Sequence, residues 1–255
     1  MKTDHRARAV PGLPDIGGWT RQLRTGRGLT RPAAAEQLHV GVASLKNLET
    51  NRGAPSQYLL ERLVDGYNLS VAQARHTHEL ALPPTTLASL PELRARLDSP
   101  ARRARLARYD QRGIAFAYLD PLWYVIAANE HFHRAVPGVD QHQHNLARWH
   151  FSDDPAARIF VHPDQASAFF VATLRTAIGR HRASPRCVDL IRHLSRIPAF
   201  SAIWTAGLAA AYGHSPADLL HLRDTHSGET YCAAVHVGYD ACVPAVRHCL
   251  AIRQP

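Results

Sequence analysis

The chain has 255 residues, 45% of them hydrophobic, with 30 Lys and Arg against 21 Asp and Glu and a formal net charge of +9 at pH 7. That apolar content excludes a disordered chain, and the length suffices for two modest domains, each with its own core. No apolar run approaches the roughly 18 residues of a membrane span; the longest candidate, Ala206–Tyr212, is short and interrupted by Gly207. The charged start (Lys2, Asp4, His5, Arg6, Arg8) has no apolar segment behind it of the kind a secretory signal needs, so a cytoplasmic location is the expectation. Cys187, Cys232, Cys242 and Cys249 lack paired spacing and are expected to be reduced there. The charge is uneven. Residues 1–81 hold eleven Lys and Arg against seven acids, residues 82–112 seven against three, and residues 113–255 twelve against eleven. A segment that meets a polyanion has such a surplus, and so has an ordinary solvated surface.

In chain order, residues 1–14 read as an unstructured lead and 15–81 as short helices between turns. Thr30 is an N-cap before Arg31–Leu38, where Pro32 sits in the tolerated first turn. Ser56 caps Gln57–Asp65, and Ser70 caps Val71–Leu82. Pro83-Pro84-Thr85-Thr86 breaks the pattern, and an Arg-rich helical stretch resumes over Pro91–Arg112. Beyond Gly113, Ile114–Leu119 and Trp123–Ala128 read as a hairpin about Asp120-Pro121. Helical segments follow at Glu130–Ala135, Asn145–Trp149, Gln165–Gly179, Arg186–Ser195 and Phe200–Ala211, and Asp153-Asp154 reads as a cap before Pro155–Ile159. Strands return at Leu219–Arg223, Thr230–Val237 and Val243–Ile252, with turns at Ser227-Gly228 and Gly238–Asp240. Strands, a helical insert and three more strands predict an antiparallel sheet with helices on one side, an α+β domain. The organisation expected is a mostly α domain over 15–82, a linker over 83–103 and the α+β domain over 104–252.

The strongest local pattern runs from Gly28 to Arg52. Its apolar positions Ala34, Ala35, Leu38, Val40, Leu45 and Leu48 fit two helices joined by a tight turn and sharing one core. The second helix, Val42–Thr50, would then expose Val42, Ala43, Ser44, Lys46 and Asn47, small at the end that would enter a major groove. Asn47 suits adenine or, like Lys46, a phosphate; Arg31, opening the preceding helix, suits a phosphate.

This stretch resembles the helix-turn-helix of the XRE/lambda-repressor-like family, with Leu38, Val40, Leu45, Leu48, Glu49 and Arg52 on the pattern and Pro55-Ser56 before the next helix. Gly41 stands in place of the usual serine cap, Asn51 in place of glycine and Arg31 in place of glutamine. The resemblance implies a sequence-specific transcriptional regulator that binds a double-stranded DNA operator, as a homodimer because the family reads paired half-sites. Arg31, Val42, Ala43, Ser44, Lys46, Asn47 and Arg52 are the candidate DNA contacts.

Residues 104–252 resemble the ligand-binding domain of the MmyB-like regulators, with a PAS-like fold. Landmarks include Ala117–Asp120, Trp123–Asn129, Asn145–Trp149, Ala172–Arg175, Leu190–Leu194 and Pro198–Trp204. That resemblance implies a sensory role with a small apolar ligand such as a fatty acid. Aromatic side chains available between helices and sheet are Phe116, Tyr118, Trp123, Phe132, Trp149, Phe160, Phe169, Phe170, Phe200 and Trp204. All of these except Phe160 and Phe170 are the candidate ligand contacts, although aromatic residues at such spacings more often simply build a core. The alternative is a C-terminal domain that serves only dimerisation or contact with another protein such as RNA polymerase.

Histidine is abundant, with His131/His133 and His142/His144 as H-x-H pairs and Cys232, His236, Cys242, His248 and Cys249 clustered late. No Cys-x-x-Cys spacing is present, so neither a structural zinc site nor another cofactor is expected; a haem- or metal-dependent sensor is the minor alternative. Nucleophile-elbow and phosphate-loop motifs are absent, so an enzyme is not expected.

Overall fold

The structure, a computed structural model, describes residues 12–154, 158–213, 219–225, 227–243 and 245–254. Residues 1–11 of the expected lead and part of the helix expected at Pro155–Ile159 lie outside them. The chain forms two compact units, the first from residues up to 86 together with 178–196, the second from 87–177 and 197–255. Among the described residues, no helix is long and apolar enough to cross a membrane.

The first unit opens with five helices, α1 (Ile16–Thr25), α2 (Arg31–Gln37), α3 (Val42–Glu49), α4 (Gln57–Gly66) and α5 (Val71–Ala81). Side-chain oxygens of Asp15, Thr30, Ser56 and Ser70 accept the free N–H groups at four of the helix starts, which is what these residues do best at an N-cap. Leu23, Ala34, Leu38, Leu45 and Leu63 are fully enclosed, and Ala34 and Ala35 are small where α2 packs on α3. Val40, expected in the core, is only half-buried; it follows His39, whose left-handed turn at φ 52° ends α2 with the Val40 N–H on the Ala35 carbonyl at 2.9 Å. Asn51 accepts the same conformation at φ 53°. Its side chain offsets the cost, accepting the Gly17 N–H at 3.0 Å and donating to Asp15 Oδ1 at 2.8 Å.

The segment 178–196, expected inside the second domain, belongs to this unit. It carries the end of a long helix and then α11 (Pro185–Leu194), whose Cys187, Leu190, Ile191 and Leu194 are buried. A Cβ at Gly179 would stand 2.6 Å from the His76 ring of α5, so only glycine permits that approach. Arg182 donates to the carbonyls of Leu80 and Leu82, and Thr85 N–H to the Arg180 carbonyl. These are contacts between residues about a hundred positions apart, beyond the reach of local pattern.

Residues 83–103, expected as a linker, end the first part of the first unit at Thr86 and from Leu87 on contain α6 (Leu90–Leu97) and the start of α7 (Pro100–Asp110) of the second unit. A capping box, Ser89 with Glu92, opens α6, and Ser99 caps α7, so proline marks helix starts here and not only breaks. Next come β1 (Ala115–Leu119), β2 (Val125–Ala128), α8 (Glu130–Ala135), a short 3-10 turn at Val139–His142, α9 (Leu146–His150) and α10 (Pro163–Arg180). The chain ends with α12 (Pro198–Ala206), β3 (Leu219–Arg223), β4 (Thr230–Tyr239) and β5 (Arg247–Arg253). The helix expected to reach Ala211 stops at Gly207, which is extended. The strand expected from Val243 starts at Arg247, because Asp240 Oδ1 accepts the N–H groups of Cys242 and Val243 and holds a turn there.

The five strands form one antiparallel sheet in the order β2-β1-β5-β4-β3. Register aligns Ala115 with Ala251 and Val235, and Ala117 with Cys249 and Val237. Between these small residues, and therefore on the other face, Phe116 aligns with Leu250 and Tyr118 with His248. Gly238 pairs with His248, and a Cβ there would lie 2.5 Å from the imidazole. Helices were expected on one side only, yet both faces are covered. Tyr109 of α7 stacks on Phe116 at 4.6 Å, on the face opposite the one that meets α8, α9 and α10.

Candidate functional site

On α3, Leu45, Leu48 and Glu49 are buried while Val42, Ala43, Ser44, Lys46 and Asn47 are all exposed. The exposed set therefore forms one row on the outer side of the helix, as its spacing predicts. Gly41 at the N-cap supplies no side-chain cap. Arg52 is exposed at the corner beyond the helix, its N–H held by the Asn47 carbonyl at 2.8 Å.

Glu49 fixes this helix to its neighbours. Its carboxylate, enclosed in the unit, accepts from Arg24 Nε at 2.5 Å, Arg24 Nη2 at 3.1 Å and Arg31 Nε at 2.7 Å, while Arg21 caps its carbonyl at 2.9 Å. Burial alone would raise its pKa, but the two guanidinium groups outweigh that and hold it below the ordinary carboxylate range. Arg31, read from the sequence as a phosphate ligand, thus also has an internal partner; about a third of its side chain is exposed, 36%.

In the second unit, a cavity of about 900 Å³ lies between the small-residue face of the sheet and the helices. Its floor is Ala115, Val235, Val237, Cys249 and Ala251, and its aromatic walls are Trp123, Phe132, Trp149, Phe160, Phe169 and Phe170. His162, Gln165 and His221 bring polar groups to the lining, the two imidazoles 5.4 Å apart. This volume falls in the range of about 300–1,000 Å³ of ligand pockets. Burial pushes the Cys249 thiol up to about 12 and the nearby His150, stacked on Phe170, down to about 4.

Trp123 is held by strain. It sits at φ 67°, rare for a bulky residue, in a turn where Asp120 Oδ1 accepts the Leu122 and Tyr124 N–H groups. Its indole donates to Thr173 Oγ1 at 3.0 Å and meets Phe169 and Phe170 edge-on. Such strain persists where the surroundings over-determine it, commonly at binding sites.

Of the eight aromatic residues expected to contact a ligand, Trp123, Phe132, Trp149 and Phe169 line the cavity. Phe116 and Tyr118 face the other side of the sheet, and Phe200 and Trp204 pack on each other at 5.4 Å, with Phe151 and Arg175 as neighbours. Sequence reasoning passed over the alanines, Cys249 and the polar lining. Strand alternation could have found the floor, since Ala115 and Ala251 alternate with larger residues.

The asparagines of the landmark motifs build the frame. Asn129 Oδ1 accepts from Phe116 and Phe132 N–H, and Asn145 Nδ2 donates to the Leu122 carbonyl. Among the described residues, no group of three or more His, Cys, Asp or Glu is placed to hold a metal ion; His131 pairs with Asp110 and His142 with Asp154.

A helix-turn-helix domain model matches residues 17–77, and the model of the MmyB-like transcription regulator ligand binding domain matches residues 92–231. No curated protein matches the chain.

Two outcomes follow from these contacts. Glu49→Gln leaves buried guanidinium charge without its counter-ion and should destabilise the first unit by about 3–5 kcal/mol in urea denaturation at pH 7. Because Glu49 titrates lower when folded, its contribution is full above the ordinary carboxylate pKa and is lost as pH falls through the folded value. The variant should accordingly lose less stability than wild type on acidification. In the second unit, Phe200→Ala should cost about 3–5 kcal/mol, whereas Phe169→Ala, which already borders empty space, should cost clearly less; equal losses in denaturant melts would mean that the cavity is filled.

Proposed function

The chain belongs to the MmyB-like transcription regulators, and we propose that a small apolar ligand in its second unit controls how its helix-turn-helix reads a specific operator. Binding of DNA is the business of the helix-turn-helix unit itself. In this reading α3 enters the major groove, Asn47 meets a base edge, Val42, Ala43 and Ser44 allow close approach, and Lys46, Arg31 and Arg52 take phosphates. Arg31 would span Glu49 and a phosphate, which fits its partial exposure. A homodimer would place two such helices on paired half-sites.

The observation that carries ligand control is the aromatic-walled cavity of about 900 Å³. A concave space of this size, lined mostly by apolar and aromatic side chains, has the make-up of a small-molecule site and suits an apolar guest, such as a fatty acid chain.

The test uses the full chain and an operator selected from random DNA. Asn47→Ala should weaken operator binding by about 1–3 kcal/mol and leave random DNA nearly unchanged; equal losses on both would make Asn47 a phosphate contact. Medium-chain fatty acids at about 100 times their dissociation constant should stabilise the second unit by about 2.7 kcal/mol and change operator affinity. A broad lipid and metabolite screen with no thermal shift would favour a domain that only dimerises or meets another protein.

A further inference from the structure

The Arg-rich stretch behind the helix-turn-helix takes no part in the α3 surface or in the cavity. Residues 82–112 carry seven arginines against three carboxylates, and each carboxylate has a partner of its own. Glu92 accepts the Ser89 N–H at 2.7 Å and opens α6. Asp98 pairs with Arg103. Asp110 accepts the His131 backbone N–H at 3.0 Å and stands 2.8 Å from the ring Nδ1 of the same residue. From outside the stretch Asp240 reaches α7, where Arg102 takes it with two nitrogens at 2.9 and 3.3 Å.

Three arginines remain: Arg105 and Arg108 of α7, and Arg112 in the turn that ends it. All three are exposed, and among the described residues none of them forms an ion pair. They stand at i, i+3 and i+7, which on a helix is one edge. Beside them Ala101, Ala104 and Ala107 are exposed too, so no bulky side chain screens that edge. Like charges at this spacing destabilise a helix, so stability does not explain the stripe. A cation in the last turn suits the helix C-terminus, which accounts for Arg108 but not for Arg105 a turn earlier.

We propose that Arg105, Arg108 and Arg112 form a second DNA-backbone contact, taking phosphates of the duplex that α3 reads. The assignment rests on the DNA-binding reading of the helix-turn-helix and adds a surface to it. From Arg105 to Arg112 a helix axis advances about 10 Å at 1.5 Å per residue. One DNA strand carries about three phosphates over that distance, at about 3.4 Å of duplex axis each. Guanidinium groups meet phosphate through paired N–H donors, and the alanines allow a close approach. Such a contact is blind to sequence; it adds affinity and leaves the choice of operator to α3.

The test is a salt titration of the full chain on a selected operator and on random DNA. Arg105→Gln, Arg108→Gln and Arg112→Gln combined should flatten log affinity against log salt by about two to three per bound chain, at about 0.9 for each phosphate lost. The change should be equal on both DNAs and leave the operator preference as in wild type, and Arg105→Lys, Arg108→Lys and Arg112→Lys should keep most of the slope. As a control, Arg134→Gln, Arg223→Gln and Arg253→Gln remove the same charge from exposed positions elsewhere in the same unit. That control should move the slope by less than about one. An unchanged slope in the first variant, or an equal fall in both, would overturn the second contact. The helix-turn-helix reading then still stands on the loss of operator preference in Asn47→Ala. Wild-type protein that binds neither DNA would overturn both.

Discussion

The second unit depends on a difference in side-chain size across one sheet. Alternation along β1 and β5 sends Phe116, Tyr118, His248 and Leu250 to one face and Ala115, Ala117, Cys249 and Ala251 to the other. The large residues pack under α7, where Tyr109 stacks on Phe116. The small ones end short of the helices, and the cavity lies between them. Space is therefore left, and the aromatic side chains of α8, α9 and α10 border it without filling it. Trp123, one of the two tryptophans in the wall, is fixed at a positive φ by the Asp120 turn and by its indole's bond to Thr173.

In the first unit the corresponding constraint is ionic. Glu49 ends α3, and Arg24 and Arg31 bind its enclosed carboxylate from α1 and from the start of α2. A buried charge is costly without partners, so the three elements are tied in one geometry. The outer row of α3 is presented on that rigid base. Small backbone adjustments, Asn51 at its left-handed corner and Gly17 beneath it, close the same junction.

Much of this was legible in the sequence wherever a local rule decided it. Thr30, Ser56 and Ser70 cap the helices their chemistry predicts, and Glu130–Ala135 and Leu219–Arg223 have the bounds their pattern gives. The exposed row on α3 followed from period and burial. What could not be read locally was pairing at a distance: Arg31 with Glu49, or residues 178–196 with α5. The cavity was half legible for another reason. Aromatic residues announce themselves in a sequence, but a cavity is made by side chains that are too short, and nothing in β1 or β5 alone says which face the helices cover. Hence the aromatic pattern points to Phe116 and Tyr118, which face α7's side of the sheet, and not to Ala115 and Ala251, which line the cavity.

The central claim is that the space over the sheet is open and meant for a guest. Ala251 sits on its floor, so thermal unfolding of Ala251→Leu, with and without dodecanoate, addresses it most directly. If the space is open, the added methyl groups enter it without strain: the unliganded protein should melt as high as wild type or higher, and the dodecanoate-induced shift should shrink or vanish. A drop in unliganded stability of about 1–3 kcal/mol, the cost of overfilling a packed core, would contradict the account.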